Sequence, residues 1–136
     1  MKINGIVETA LHVADVRRSA EFYRRLFGLP QLAGDDRFCA LAVPGNAVLL
    51  LFRQGGTPHP VETPGGTIPP HDGSGRMHFA MKISADSIES CVQELQQQGI
   101  AIESTVHWPR GGVSLYFRDP DEHLVELITP GCWEVY

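Results

Sequence analysis

From Val7 to Gly28 the chain reads VETALHVADVRRSAEFYRRLFG, and from Met77 to Gly99 it reads MHFAMKISADSIESCVQELQQQG. Each stretch opens on a strand-like run, Val7 to Val13 and Met77 to Ile83, and then changes to helical spacing. In the first, Val16, Ala20, Tyr23 and Phe27 recur at intervals of four, three and four, which predicts a helix from Val16 to Phe27 with one buried stripe. Asp15 stands where an N-cap belongs, and Gly28 where a helix ends. In the second, Ile88, Val92 and Leu95 form the stripe of a helix from Ser87 to Gln98, which Gly99 ends. Asp86 and Glu89 have the spacing of a capping box. Asp15 precedes Gly28 by 13 positions, and Asp86 precedes Gly99 by the same 13. The chain carries one unit twice.

The strands after each helix also repeat. Arg37 to Val43 and Ala47 to Arg53 read as a hairpin across Pro44-Gly45-Asn46, and Val113 to Arg118 and His123 to Thr129 as another across Asp119 to Glu122. A further strand is expected before each hairpin, around Leu29 to Ala33 and Ile100 to Val106. The expected fold class is therefore α+β, a single domain spanning 1–136. Two βαβββ modules, about 5–53 and about 76–130, pair in it as an incomplete barrel around a cavity, since neither covers its sheet alone. Between them, residues 54–75 (QGGTPHPVETPGGTIPPHDGSG) lack periodicity and exceed the usual length of an unstructured connection. A flexible linker and an arm or lid over a site are both open readings.

Bulk properties narrow the function classes. Hydrophobic residues at 43% and charged residues at 20% suit a globular protein with a real core. A net charge of −5 speaks against a nucleic-acid partner, which needs a basic patch. No apolar run approaches the roughly 20 residues that cross a bilayer, so no membrane partner is expected. Met1 to Gly5 has no signal-peptide character. Cys39, Cys91 and Cys132 lack metal-type spacing, and reduced thiols of a cytoplasmic protein are the plain reading.

Superposing the halves brings four positions into correspondence: Glu8, Leu50, His78 and Glu126. Three of these are metal-ligand types within otherwise apolar strands. Glu126 sits in Leu124-Val125-Glu126-Leu127-Ile128, where either face has apolar neighbours. An uncompensated buried carboxylate costs at least about several kcal/mol, and two converging carboxylates repel. A divalent cation held by Glu8, His78 and Glu126 removes both penalties and keeps positions open for substrate or water. The competing readings are a solvated Glu8 at a strand edge, a hydrogen-bonded core His78, and a Glu126 paired with Arg118.

The segments Glu8-Thr9-Ala10-Leu11-His12-Val13-Ala14-Asp15 with Glu21-Phe22-Tyr23, and Leu115 to Leu127 with its D-P-D-x-H-L-x-E ending, resemble the vicinal oxygen chelate superfamily. It contains glyoxalase I, extradiol dioxygenases, methylmalonyl-CoA epimerase, and fosfomycin- and bleomycin-resistance proteins. The resemblance implies paired βαβββ modules, a homodimer, a small-molecule substrate, and metal ligands at Glu8, His78 and Glu126. Leu50 occupies the position of a fourth ligand in glyoxalase I-like members, and leucine cannot coordinate. Glu8 stands where extradiol dioxygenases place a histidine. An anionic ligand set suits Zn²⁺, Mn²⁺, Ni²⁺ or Mg²⁺ at least as well as Fe²⁺. Glu122 stands where glycine is usual in the hairpin.

Further candidates surround this set. Ser114 and Tyr116 alternate onto one strand face, which the resemblance turns toward the cavity, where they would bind substrate or simply hydrogen-bond in a packed barrel. Tyr116 and His71 are the catalytic candidates, His71 as a general base or lid contact, its alternative being an exposed loop histidine. His12, four residues from Glu8 on the same face, would line the cavity or act structurally. Arg110 could hold an anionic substrate group, or face solvent as a loop arginine. The leading expectation is an enzyme with one divalent metal ion that binds a substrate through two oxygens, its reaction being isomerase, lyase, dioxygenase or transferase. The alternative is a metal-free sequestering protein of the bleomycin-resistance type.

Overall fold

The helix expected from Val16 to Phe27 forms with those bounds and is named α1 (Val16–Phe27). The Asp15 carboxylate accepts from the Arg18 backbone N–H at 3.0 Å, tying down an amide that the first helical turn leaves without a partner. Gly28 closes the helix in the left-handed region (φ 65°), and its N–H donates to the Arg24 carbonyl at 2.9 Å. The computed structural model describes residues 1–136 and divides into two units, Met1–Gly75 and Arg76–Tyr136.

In the first unit β1 (Glu8–Val13) precedes α1, and β2 (Gln31–Gly34), β3 (Phe38–Val43) and β4 (Ala47–Arg53) follow it. They form one mixed sheet in the order β1-β4-β3-β2, with β1 parallel to β4 and the other pairs antiparallel. Side chains alternate across a sheet, so Leu11 and Val13 share a face with Leu49, Leu51, Cys39 and Leu41. All six are buried, as are Val16, Ala20 and Tyr23 of α1, which packs against β3 and β4. Glu8, Ala10 and His12 belong to the other face.

The 54–75 connection contains a hairpin of its own, β5 (Val61–Thr63) with β6 (Gly66–Ile68). The Thr67 hydroxyl lies 2.9 Å from both Glu62 carboxylate oxygens, and the Thr63 hydroxyl donates to the Gly66 carbonyl at 2.6 Å. Beyond it, the Asp72 carboxylate accepts from the Gly55 N–H and the Thr57 hydroxyl, and the His71 N–H donates to the Thr57 carbonyl. The sequence concealed this order because three-residue strands are too short to show a period of two.

The second unit repeats the plan: β7 (His78–Lys82), α2 (Ile88–Gln97), β8 (Ile102–His107), β9 (Val113–Arg118) and β10 (Leu124–Ile128), in the sheet order β7-β10-β9-β8. Leu115, Phe117, Val125 and Leu127 line the buried face. One local expectation fails. Asp86 and Glu89 form no capping box, because a 3₁₀ turn (Ala85–Ser87) leads into α2 and Ser87, not Asp86, is the residue before it. Ser87 itself caps nothing through its side chain; its hydroxyl meets that of Ser84 at 2.6 Å.

The strand registers establish the internal correspondence. Glu8 pairs with Val48, two residues before Leu50, while His78 pairs with Leu124, two residues before Glu126. The β9–β10 turn is held by Asp119, whose carboxylate accepts from the Asp121 and His123 N–H groups at 2.9 and 2.8 Å. Glu122 lies in this turn at φ 66°, a left-handed conformation that costs a side-chain-bearing residue about 1 kcal/mol or more. A Glu122→Gly variant is expected to gain about 0.5–1 kcal/mol, part of the strain relief being offset by glycine's greater unfolded-state entropy. Urea titration against the parent protein checks this.

Candidate metal centre

Three side chains of the second sheet come together on the face opposite its buried one. Glu126 on β10 is directly across from Tyr116 on β9, and its other neighbour strand begins at His78. Only 5% of Glu126 is exposed, in keeping with its apolar surroundings. The Tyr116 hydroxyl donates to Glu126 Oε1 at 2.9 Å. Glu126 Oε2 faces His78 Nε2 at 3.3 Å. Arg118, the partner expected for Glu126 in the absence of a metal, is engaged elsewhere: it pairs with Glu103 at 3.1 Å and donates to the Glu122 carbonyl.

The imidazole orientation carries chemical information. His78 Nδ1 lies 3.1 Å from the Leu124 carbonyl oxygen. A carbonyl only accepts, so Nδ1 carries a hydrogen and Nε2 is the ring nitrogen that faces a carboxylate oxygen. Two lone pairs do not rest 3.3 Å apart without a cation or a proton between them. Donors sharing one ion at bond lengths of about 2.0–2.2 Å, with angles from square to tetrahedral, are roughly 2.8–3.6 Å apart. The observed separation lies within that range, so the pair fits a divalent metal. The backbone carbonyl on the far nitrogen is the usual outer support of a ligating histidine.

Burial raises the Tyr116 hydroxyl above its ordinary value, and the hydrogen bond to Glu126 raises it further. The phenol is therefore a protonated donor at neutral pH. Ser114, expected on the same face, is fully buried. Its hydroxyl accepts from Trp108 Nε1 at 2.8 Å, lies 3.9 Å from Cys132 Sγ, and also interacts with the Tyr116 hydroxyl. Arg110 is exposed, donates to the Cys132 carbonyl at 3.3 Å and lies 3.8 Å from Glu134.

In the first unit Glu8 is exposed at the start of β1, an edge strand of its sheet. No three His, Cys, Asp or Glu side chains gather within either unit. Of the expected donors, His78 and Glu126 belong to the second unit and come together there. His12 is buried, with its ring stacked on Phe52 at 6.0 Å and tilted against His71 at 6.0 Å. Gly73 lies close over it: a Cβ there would stand 2.9 Å from His12 Nδ1. His71 is exposed and meets the Phe52 ring edge-on at 4.6 Å. A surface cleft of about 320 Å³ between α1 and the β2–β3 turn includes none of these residues.

His123 is a site neighbour that spacing and residue type alone did not single out. It is fully buried, and its Nδ1 accepts the Met77 N–H at 2.9 Å, immediately before His78. Its place in the D-P-D-E-H run was the available signal.

Fold and site together define an α+β protein of two βαβββ modules, the second carrying a buried carboxylate beside an imidazole. The chain belongs to the Glyoxalase/Bleomycin resistance protein/Dioxygenase superfamily, whose family model matches residues 5–127. It is 28% identical over 128 residues to the glutathione transferase FosA of Serratia marcescens, covering 92% of this chain and 80% of the relative. Among solved structures it resembles lactoylglutathione lyase from Agrobacterium tumefaciens at 26% identity and a TM-score of 0.88, covering 98% of this chain and 99% of the other. The fosfomycin resistance protein FosX from Mesorhizobium loti shares the fold, with a TM-score of 0.64, 21% identity, and coverage of 94% and 93%. No helix is long and apolar enough to cross a membrane.

Proposed function

We propose that this protein is a metal-dependent enzyme of its superfamily, in which His78 and Glu126 hold one divalent ion and Glu8 supplies a third donor. The observation that carries this reading is the 3.3 Å approach of His78 Nε2 to Glu126 Oε2, with Nδ1 committed to the Leu124 carbonyl. When bound, the ion would polarise a small substrate chelated through two oxygens and stabilise the negative charge that develops on it. Tyr116 holds Glu126 Oε1 and so leaves Oε2 as the free donor. His71 is the candidate for proton transfer and Arg110 for an anionic part of the substrate, which would have to compete with Glu134 for the guanidinium; both side chains are exposed. The names of the glutathione transferase and the lactoylglutathione lyase that it resembles support a small-molecule substrate, and a homodimer is part of the same proposal.

Metal analysis of protein purified without chelators tests the reading. Near-stoichiometric divalent metal, lost in Glu126→Ala and reduced in Glu8→Ala, supports it. Metal-free protein that nonetheless binds a ligand, unaffected by Glu126→Ala, would establish the sequestering alternative instead. Tyr116→Phe removes one hydrogen bond to the ligating carboxylate and is expected to weaken metal binding by about tenfold, the lower end of the usual effect of an outer-sphere partner. Competition against a chromogenic chelator measures it.

A further inference from the structure

We infer that His123 is a positioning residue for the metal centre, acting as a clamp that presents His78 in its ligating tautomer; this rests on the proposed metal function. The start of β7 and the start of β10 are joined by three interactions. The Met77 N–H donates to His123 Nδ1 at 2.9 Å, the Leu124 N–H donates to the Met77 carbonyl at 2.8 Å, and His78 Nδ1 donates to the Leu124 carbonyl at 3.1 Å. Met77 precedes His78 and His123 precedes Leu124, so the backbone on both sides of the imidazole is held by one buried ring.

The chemistry demands an acceptor at that point. Met77 lies just before the strand, and the β7–β10 ladder begins one residue later, at His78 and Leu124. His123 Nδ1 supplies the acceptor for the Met77 N–H, and in doing so it must carry its hydrogen on Nε2. The residue is anchored from the other side as well, since its backbone N–H donates to the Asp119 carboxylate at 2.8 Å. The chain of contacts therefore runs from Asp119 through His123 and Met77 to His78, and from there to Glu126 Oε2. A small shift of Met77 would move the Leu124 carbonyl out of line with His78 Nδ1 and free the ring to turn its lone pair away from Glu126.

Two amide substitutions separate this role from packing. In His123→Asn the side-chain oxygen can take the place of Nδ1 and accept the Met77 N–H. In His123→Gln the amide reaches instead to the place of Nε2, filling more of the buried space while leaving Met77 without its acceptor. Ring nitrogen NMR of the metal-free protein in mildly alkaline buffer reads the His78 tautomer directly, and chelator competition with Zn²⁺ reads affinity. The expected result is an Nδ1–H tautomer for His78 in the parent and in His123→Asn, with Zn²⁺ affinity kept within about threefold. In His123→Gln the tautomer signature is lost and Zn²⁺ binds about ten- to a hundredfold more weakly.

A His123→Gln protein that keeps both the tautomer and the affinity overturns the inference, as does a His123→Asn protein that loses both. Should His123→Gln fail to fold, His123→Asn alone decides. Should the parent bind no Zn²⁺, the metal function falls while the tautomer measurement still judges the clamp.

Discussion

A Glu126→Leu protein is expected to purify without metal, its affinity reduced by about a thousandfold or more, while unfolding at nearly the same denaturant concentration as metal-free parent protein. Leucine is the residue that the first module carries at the corresponding register position, Leu50, so the fold has already accommodated it there. Glu126 is buried and its carboxylate must be desolvated, and replacing a buried charge by a well-packed apolar side chain is frequently neutral or stabilising. Against that, the Tyr116 hydroxyl loses its acceptor, a cost of about 1 kcal/mol where the group is partly buried. The two effects offset to within about 1 kcal/mol. Elemental analysis checks the metal content, and the midpoint of urea unfolding in chelator checks the stability. A large loss of metal-free stability would mean that Glu126 serves the fold and not a cation.

Phe117→Ala should do the reverse. Phe117 is fully buried and pairs with Val125 across β9 and β10, on the face opposite Tyr116 and Glu126. Removing its ring takes away the transfer free energy of a phenyl group and leaves a cavity that a packed sheet only partly closes, for a loss of about 3–5 kcal/mol. That is a large fraction of the roughly 5–15 kcal/mol that holds an ordinary domain together. Urea or thermal unfolding should register it plainly. Whatever folded fraction remains is expected to retain the His78–Glu126 pair and with it metal affinity, because that pair lies on the other side of the sheet. A variant with parent-like stability would show that the buried face is not the source of the second unit's cohesion.

The repeated plan was legible in the residues because each element announces its period and its ends. The stripe Val16, Ala20, Tyr23 and Phe27, bounded by Asp15 and Gly28, yields α1 with the expected limits. The hairpin strands fall within a residue or so of the expected bounds. The capping box at Asp86 did not form, since an alternative entry through a 3₁₀ turn depends on how the chain arrives from β7. The β5–β6 hairpin has strands of three residues, too short to show a period of two in the sequence.

For the site, the chain order alone determined which residue types occupy equivalent strand positions, because the side-chain alternation of a strand, the equal spacing of Asp15–Gly28 and Asp86–Gly99, and the hairpin turns at Pro44 and Pro120 align the two modules. That places Glu126 among apolar neighbours and His78 two register positions away. Tertiary structure decided the rest: that Tyr116 and not Arg118 meets Glu126, that Ser114 accepts from Trp108, and that His78 Nδ1 is spent on Leu124. These choices depend on hydrogen-bond directions between strands distant in sequence, and direction is a property of folded backbone that no spacing of residue types encodes.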